Sequence, residues 1–184
     1  MSRIDAISPD AATGELKTIY DDMKSKLGKV PNIFQHMGNS PAALTAFLTF
    51  NQSLSKLSLP SKLREQIALI VGQENKCGYC LSAHSTIGKG AGLTDDEIER
   101  SRKGESSDAK TNAILHFAKE VVDKRGHIAD SDVETLKKAG VTDAEVVEII
   151  LVIGVNTFTN YFNHIVDPKI DFPLAKNLEA LTHK

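Results

Sequence analysis

Residues 60–84 run PSKLREQIALIVGQENKCGYCLSAH. Within this stretch Ile67-Ala68-Leu69-Ile70-Val71 leaves no polar face for a full turn, and a helix that is apolar all round is buried on several sides. The spacing predicts a central helix from Pro60 to about Asn75. A second helix is expected from about Cys77, stopping in the glycine cluster Gly88, Gly90 and Gly92. Outward from this pair the chain breaks into further helix-length pieces. Ser8-Pro9 and Ser40-Pro41 each place a capping residue before a proline suited to a first helical turn. Leu16, Ile19, Tyr20, Met23 and Leu27 follow the first at helical spacing, with Gly28 as the stop. Leu44, Phe47, Leu48, Leu54 and Leu57 follow the second. Thr94-Asp95-Asp96-Glu97, Ser131-Asp132-Val133-Glu134 and Thr142-Asp143-Ala144-Glu145 read as capping boxes, the first stapled by Leu93 and Ile98. Another helix is expected over 109–124. The last box opens the longest helix, to about His164, before Asp167-Pro168. No segment alternates apolar and polar residues between turn signals. The fold class is all-α.

The chain has 184 residues, of which 41% are apolar, and only two are cysteines. At this length folding removes roughly 70% of the unfolded surface from water, so a core forms without disulfide staples. The sequence divides into an N-terminal helical arm over 1–58, a motif-bearing core over 59–167 and a tail over 168–184, within one domain. A net charge of −2 gives no basic face for phosphates, so nucleic acid is not expected as a partner. The N-terminal residues lack the apolar run of a secretory signal. The apolar stretch 146–155 falls short of the roughly 20 residues that span a bilayer. Neither export nor membrane insertion is expected, and a cytoplasmic setting follows.

Both cysteines lie in Cys77-Gly78-Tyr79-Cys80, followed by His84. On a helix these three side chains share one face. The exposed N–H groups and dipole of a helix N-terminus favour a thiolate there, the form that attacks peroxides and disulfides. Spacing of i, i+3 lets the second sulfur close a disulfide, a two-electron cycle that needs no metal or organic cofactor. Glu65, near the start of the preceding helix, supplies a carboxyl group that could take a thiol proton and return it to a leaving oxygen.

Glu65, Cys77, Cys80 and His84 together resemble the E-x11-C-x-x-C-x3-H core of AhpD-like alkylhydroperoxidases, in the carboxymuconolactone decarboxylase superfamily. Gly28-Lys29-Val30-Pro31-Asn32, Leu63-Arg64-Glu65 and the run Asn156 to His164 extend the likeness toward a peroxidase-related branch, over residues 9–173. The resemblance implies an AhpD-like multihelical bundle, assembled as a homo-oligomer, commonly a trimer or hexamer. It also implies antioxidant peroxidase chemistry. Cys80 is then the peroxidatic nucleophile and Cys77 the resolving thiol, with Glu65 and His84 as a proton relay. The substrate is a hydroperoxide, and an unidentified thiol reductant restores the dithiol. Family peroxidases carry a His before the second cysteine, where this chain has Tyr79. Tyr has an ordinary pKa near ~10 and is a poor base at neutral pH, so modest peroxide turnover is expected.

The same residues admit other readings. Cys77, Cys80, His84 and Glu65 would make a four-ligand zinc set, but two sulfurs and a His on one helix is an uncommon structural site. Glu65 would otherwise pair with Lys62 or Arg64 at the surface. His116 and His164 read as core or interface residues. Asn156, Asn160 and Asn163 form a polar stripe, read as a buried hydrogen-bond ladder or subunit contact. A lyase resembling carboxymuconolactone decarboxylase, and a non-catalytic thiol redox sensor, are the functional alternatives.

Overall fold

The computed structural model describes residues 2–178, which form nine α-helices, a single 3₁₀ turn and no strand. The chain divides into two compact units, one of residues 1–56 with 162–171, the other of 57–161 with 172–184.

In the first unit, α1 (Gly14–Leu27), α2 (Asn32–Met37) and α3 (Pro41–Ser53) bury Leu16, Tyr20, Met23, Ile33, Met37, Leu44 and Phe47. Tyr20 is 1% exposed and its hydroxyl donates to the Phe34 carbonyl at 3.0 Å. Burial pushes its pKa up to about 12. Ser40 caps α3 as expected, accepting from Ala43 N–H at 3.3 Å. Ser8-Pro9 does not open α1. The N–H groups of Ala11 and Ala12 return to the Ser8 carbonyl in an isolated turn. Thr13, extended at φ −130 and ψ 165, separates that turn from α1. The short α2 has no capping signal in the sequence, because Pro31 at its N-terminus offers no side-chain acceptor.

The second unit is organised around α4 (Ser61–Glu74), which packs against α5 (Gly78–Gly90), α6 (Asp95–Arg102) and α7 (Ala109–Asp123). Ile67, Leu69, Ile70 and Val71 are each 0% exposed, as the absence of a polar face requires. Removing each such side chain from water contributes about 1.5–3 kcal/mol before conformational entropy is charged. Ile67, Ile70 and Val71 join Ile114, Leu115 and Phe117 of α7, Leu136 of α8 (Asp130–Lys138) and Ile149 and Val152 of α9 (Asp143–Val166) in one cluster. A second cluster, on the other side of α4, holds Leu69, Leu81, Leu93 and Ile98. Leu93 and Ile98 are thus the staple of α6, whose Thr94–Glu97 capping box forms.

The expected box at Ser131 is displaced. Helix α8 begins two residues earlier, and the Asp132 carboxylate accepts from Ala129 N–H at 3.0 Å. The acid that reads as the second box residue is the one that reaches back to close the N-terminus. Thr142 and Glu145 do cap α9 reciprocally. This helix runs 24 residues with mean hydropathy 1.3 over its most apolar window, so by length and composition it could cross a membrane. The apolar stretch 146–155 is therefore only part of it. Ile149, Val152 and Ile153 on it are core residues, and a buried core helix passes the same test.

Candidate active site

Helices α4 and α5 form a tight hairpin, and its turn sets the position of the first cysteine. Lys76 N–H donates to the Gln73 carbonyl at 3.0 Å and Cys77 N–H to the Gly72 carbonyl at 2.9 Å, with Lys76 at φ +56. This is a Schellman closure of α4 with a lysine where glycine is usual. Within the turn, Asn75 Nδ2 donates to Oδ1 of Asn160, a fully buried residue of α9, at 2.9 Å. Asn156 turns instead to the Val152 carbonyl of its own helix. Both asparagines are buried as the stripe suggested, and Asn160 serves the turn that carries the motif.

Cys77 is the N-cap of α5 rather than a first-turn residue, and its Sγ accepts from Cys80 N–H at 3.2 Å. The two cysteines are joined in a disulfide and are 1% and 3% exposed. A Cβ placed on Gly72 would meet that of Cys80 at 3.6 Å, which measures how closely α4 backs the second cysteine. Farther along the antiparallel pair, Glu65 Oε2 lies 2.8 Å from His84 Nδ1. A Cβ on Gly88, one turn later, would sit 3.8 Å from the Cβ of Glu65. The hairpin thus explains the sequence spacing: residue 72 faces 80, and residue 65 faces 84 and 88.

Glu65 and His84 are about one-fifth exposed, at 18% and 21% of their side chains. Glu65 does not pair with its neighbours. Lys62 bonds Glu97 at 2.8 Å, and Arg64 Nη1 donates to the Leu59 carbonyl. With Nδ1 engaged, Nε2 is the ring nitrogen of His84 left for proton exchange. Tyr79 is buried and meets Phe172 edge to face, with ring centroids 5.7 Å apart. Phe172 belongs to the segment read from sequence as a tail, and nothing local in the chain signals this contact. His116 and His164 are both exposed, so neither is a core residue. Among the described residues no three His, Cys, Asp or Glu side chains converge to hold a metal ion.

Residues 41–124 match the carboxymuconolactone decarboxylase family. An alkyl hydroperoxide reductase of Mycobacterium tuberculosis is 26% identical over 96 residues, 52% of this chain but 28% of that protein. A peroxidase-related protein from Silicibacter superposes with a TM-score of 0.81 at 24% identity, covering 94% of this chain and 97% of its own. A protein from Ralstonia eutropha described as an alkylhydroperoxidase AhpD core also gives 0.81, at 22% identity and 92% coverage of each chain. The debrominase Bmp8, in complex with 2,3,4-tribromopyrrole, gives 0.77 at 23% identity, covering 93% of this chain and 94% of its own. At these identities the solved structures speak to the fold alone.

Proposed function

We propose that the chain is an AhpD-like member of the carboxymuconolactone decarboxylase superfamily, whose family model matches residues 41–124, and that it is a thiol-dependent peroxidase cycling through its Cys77–Cys80 disulfide. One observation carries this reading: the hairpin that holds both cysteines also holds the Glu65–His84 hydrogen bond.

In the reduced protein Cys80 gives its proton to His84 Nε2, and Glu65 at Nδ1 stabilises the imidazolium. The Cys80 thiolate attacks the distal oxygen of a hydroperoxide and the O–O bond breaks. The departing alkoxide takes the proton from His84 and leaves as an alcohol, while Cys80 becomes a sulfenic acid. Cys77, deprotonated in turn, attacks the Cys80 sulfur; the S–S bond forms and hydroxide leaves as water. The sum is two thiols and one hydroperoxide converted to a disulfide, an alcohol and water. An external thiol or dithiol then returns two electrons and two protons. The described disulfide is the end state of this half-cycle.

Free thiols titrated before and after one equivalent of hydroperoxide test the scheme. Wild type loses both thiols together, and Cys77→Ser yields a trappable sulfenic acid that Cys80→Ser does not. Unchanged turnover in Cys80→Ser overturns the proposal. With reductant in excess, a catalyst consumes many equivalents per chain, whereas a redox sensor is oxidised once and stops. The debrominase Bmp8, similar in fold, is known in complex with 2,3,4-tribromopyrrole, so that compound is assayed beside the hydroperoxide. Assembly into a homo-oligomer is part of the same proposal. Exposed Val147, Ile150 and Tyr161 on α9, at 67%, 51% and 54%, support it.

A further inference from the structure

The redox residues use one side of α5, and the other side lines a pocket. At about 100° per residue, His84 lies about 40° round the helix from Cys80, whereas Ser82, Ser85, Thr86 and Lys89 lie about 140–240° round. Ser85, Thr86 and Lys89 form one wall of a cavity of about 390 Å³, closed by Ile98, Glu99 and Arg102 of α6 and by residues 173–176. That last segment is held in place at two points. Ala175 N–H donates to Ser82 Oγ at 3.1 Å, and Arg102 Nη1 donates to the Lys176 carbonyl at 2.7 Å.

Two polar groups in this pocket are unspent. Arg102 is 5% exposed, yet its hydrogen bonds go to neutral acceptors, Nε to Gln73 Oε1 and Nη1 to the Lys176 carbonyl. Among the described residues it has no ion pair and Nη2 has no partner. Burial pulls its pKa below the ordinary guanidinium value, and the Glu99 carboxylate offsets this only in part. Ser85 Oγ is buried with no hydrogen-bond partner. A buried charge and a buried hydroxyl are both costly unless something accepts from them. The other charges of the lining are already matched, Lys89 with Asp95 at 2.8 Å and Lys176 with Glu99 at 2.6 Å. The pocket therefore carries one positive charge in excess, between apolar walls made by Ile98, Pro173, Leu174 and Ala175.

We propose that this pocket binds a small apolar monocarboxylate, its carboxylate accepting from Arg102 Nη2 and Ser85 Oγ and its hydrocarbon body lying against Ile98 and the 173–175 segment. A single anionic head matches the single unpaired cation, while Asp95 and Glu99 repel a dianion. The site is separate from the dithiol and does not depend on the peroxidase reading.

Hexanoate titrated into the full-length protein tests it, by calorimetry and by amide chemical shifts. Saturable binding of one hexanoate per chain is expected, with shifts concentrated at Ser85–Lys89, α6 and residues 173–176. Hexanol and hexylamine bind at least about tenfold more weakly, because a charge-assisted pair to guanidinium is lost. Ser85→Ala and Arg102→Gln each weaken hexanoate about tenfold. Ser85→Ala is the decisive variant, since its hydroxyl supports no other group and the fold survives its loss. Cys80→Ser binds hexanoate as wild type does, whatever its effect on peroxide. Non-saturable binding, equal affinity for hexanol, tighter binding of inorganic phosphate, or an unchanged affinity in Ser85→Ala overturns the proposal.

Discussion

The carboxylate of Glu65 is hydrogen-bonded to Nδ1 of His84 at 2.8 Å across the α4–α5 hairpin. The pair acts as one unit in the proposed cycle, with the imidazole moving the proton and the carboxylate orienting the ring. Glu65→Gln and His84→Asn are each expected to lower peroxide turnover by about a hundredfold. The double variant falls little further, since residues that act together are not additive. Steady-state rates at saturating reductant measure this, and a double variant slower by the product of the two single losses would count against the relay.

Lys76 holds a left-handed backbone conformation, φ +56, at the turn that delivers Cys77. A side chain in that conformation costs about 1 kcal/mol or more relative to glycine. Lys76→Gly should therefore raise the unfolding free energy by about 1 kcal/mol, partly offset by the greater freedom of glycine in the unfolded chain. Urea unfolding of the two proteins reads the difference directly.

These two features mark where sequence reading succeeds and where it ends. The pairing of Glu65 with His84 is implicit in the spacing, because an antiparallel helix hairpin brings residues at those separations face to face. Caps at Ser40, Thr94 and Thr142 are legible for the same reason, their partners lying within one turn. Lys76 is silent, since a lysine carries no propensity for the conformation it is forced into. The contact of Phe172 with Tyr79, and the buried Arg102, are silent because their partners lie far off in the chain. Ser8-Pro9 misleads in the opposite sense: the local signal is real, and a turn forms there, but the chain goes extended at Thr13 before α1 begins.

Glu148 of α9 anchors the entry to α4, accepting from Ser58 N–H at 3.0 Å, Ser58 Oγ at 2.8 Å and Leu59 N–H at 3.1 Å. The Ser58 amide above all, with the Ser58 hydroxyl and the Leu59 amide, holds its carboxyl below the ordinary glutamate value against the opposing effect of desolvation. A group with a lowered folded pKa stabilises fully above its unfolded value, near ~4.3, and loses that contribution as pH falls through the folded value. Glu148→Gln should thus be less stable than wild type at pH 7, with the gap closing as pH drops below about 4. Urea midpoints across this range check the sign.

Val147, Ile150 and Tyr161 stand exposed along α9, and Gly154 between them would accept a Cβ with nothing within 4 Å. If copies of the chain meet on this stripe, Val147→Asp combined with Ile150→Asp shifts sedimentation from oligomer to monomer without loss of helical circular dichroism. Wild type sedimenting as a monomer at micromolar concentration would remove the stripe from consideration.

The sulfur of Cys77 caps α5 by accepting the amide proton of Cys80, so the bond that starts the helix ends on an atom whose charge and oxidation state change in the proposed cycle. A thiolate is a stronger acceptor than a disulfide sulfur, and a thiol a weaker one. The rate of deuterium uptake at that amide therefore becomes a gauge of redox state: slowest when Cys77 is ionised, faster once the disulfide closes. The oxidation state of the chain is written into the fraying of its own helix.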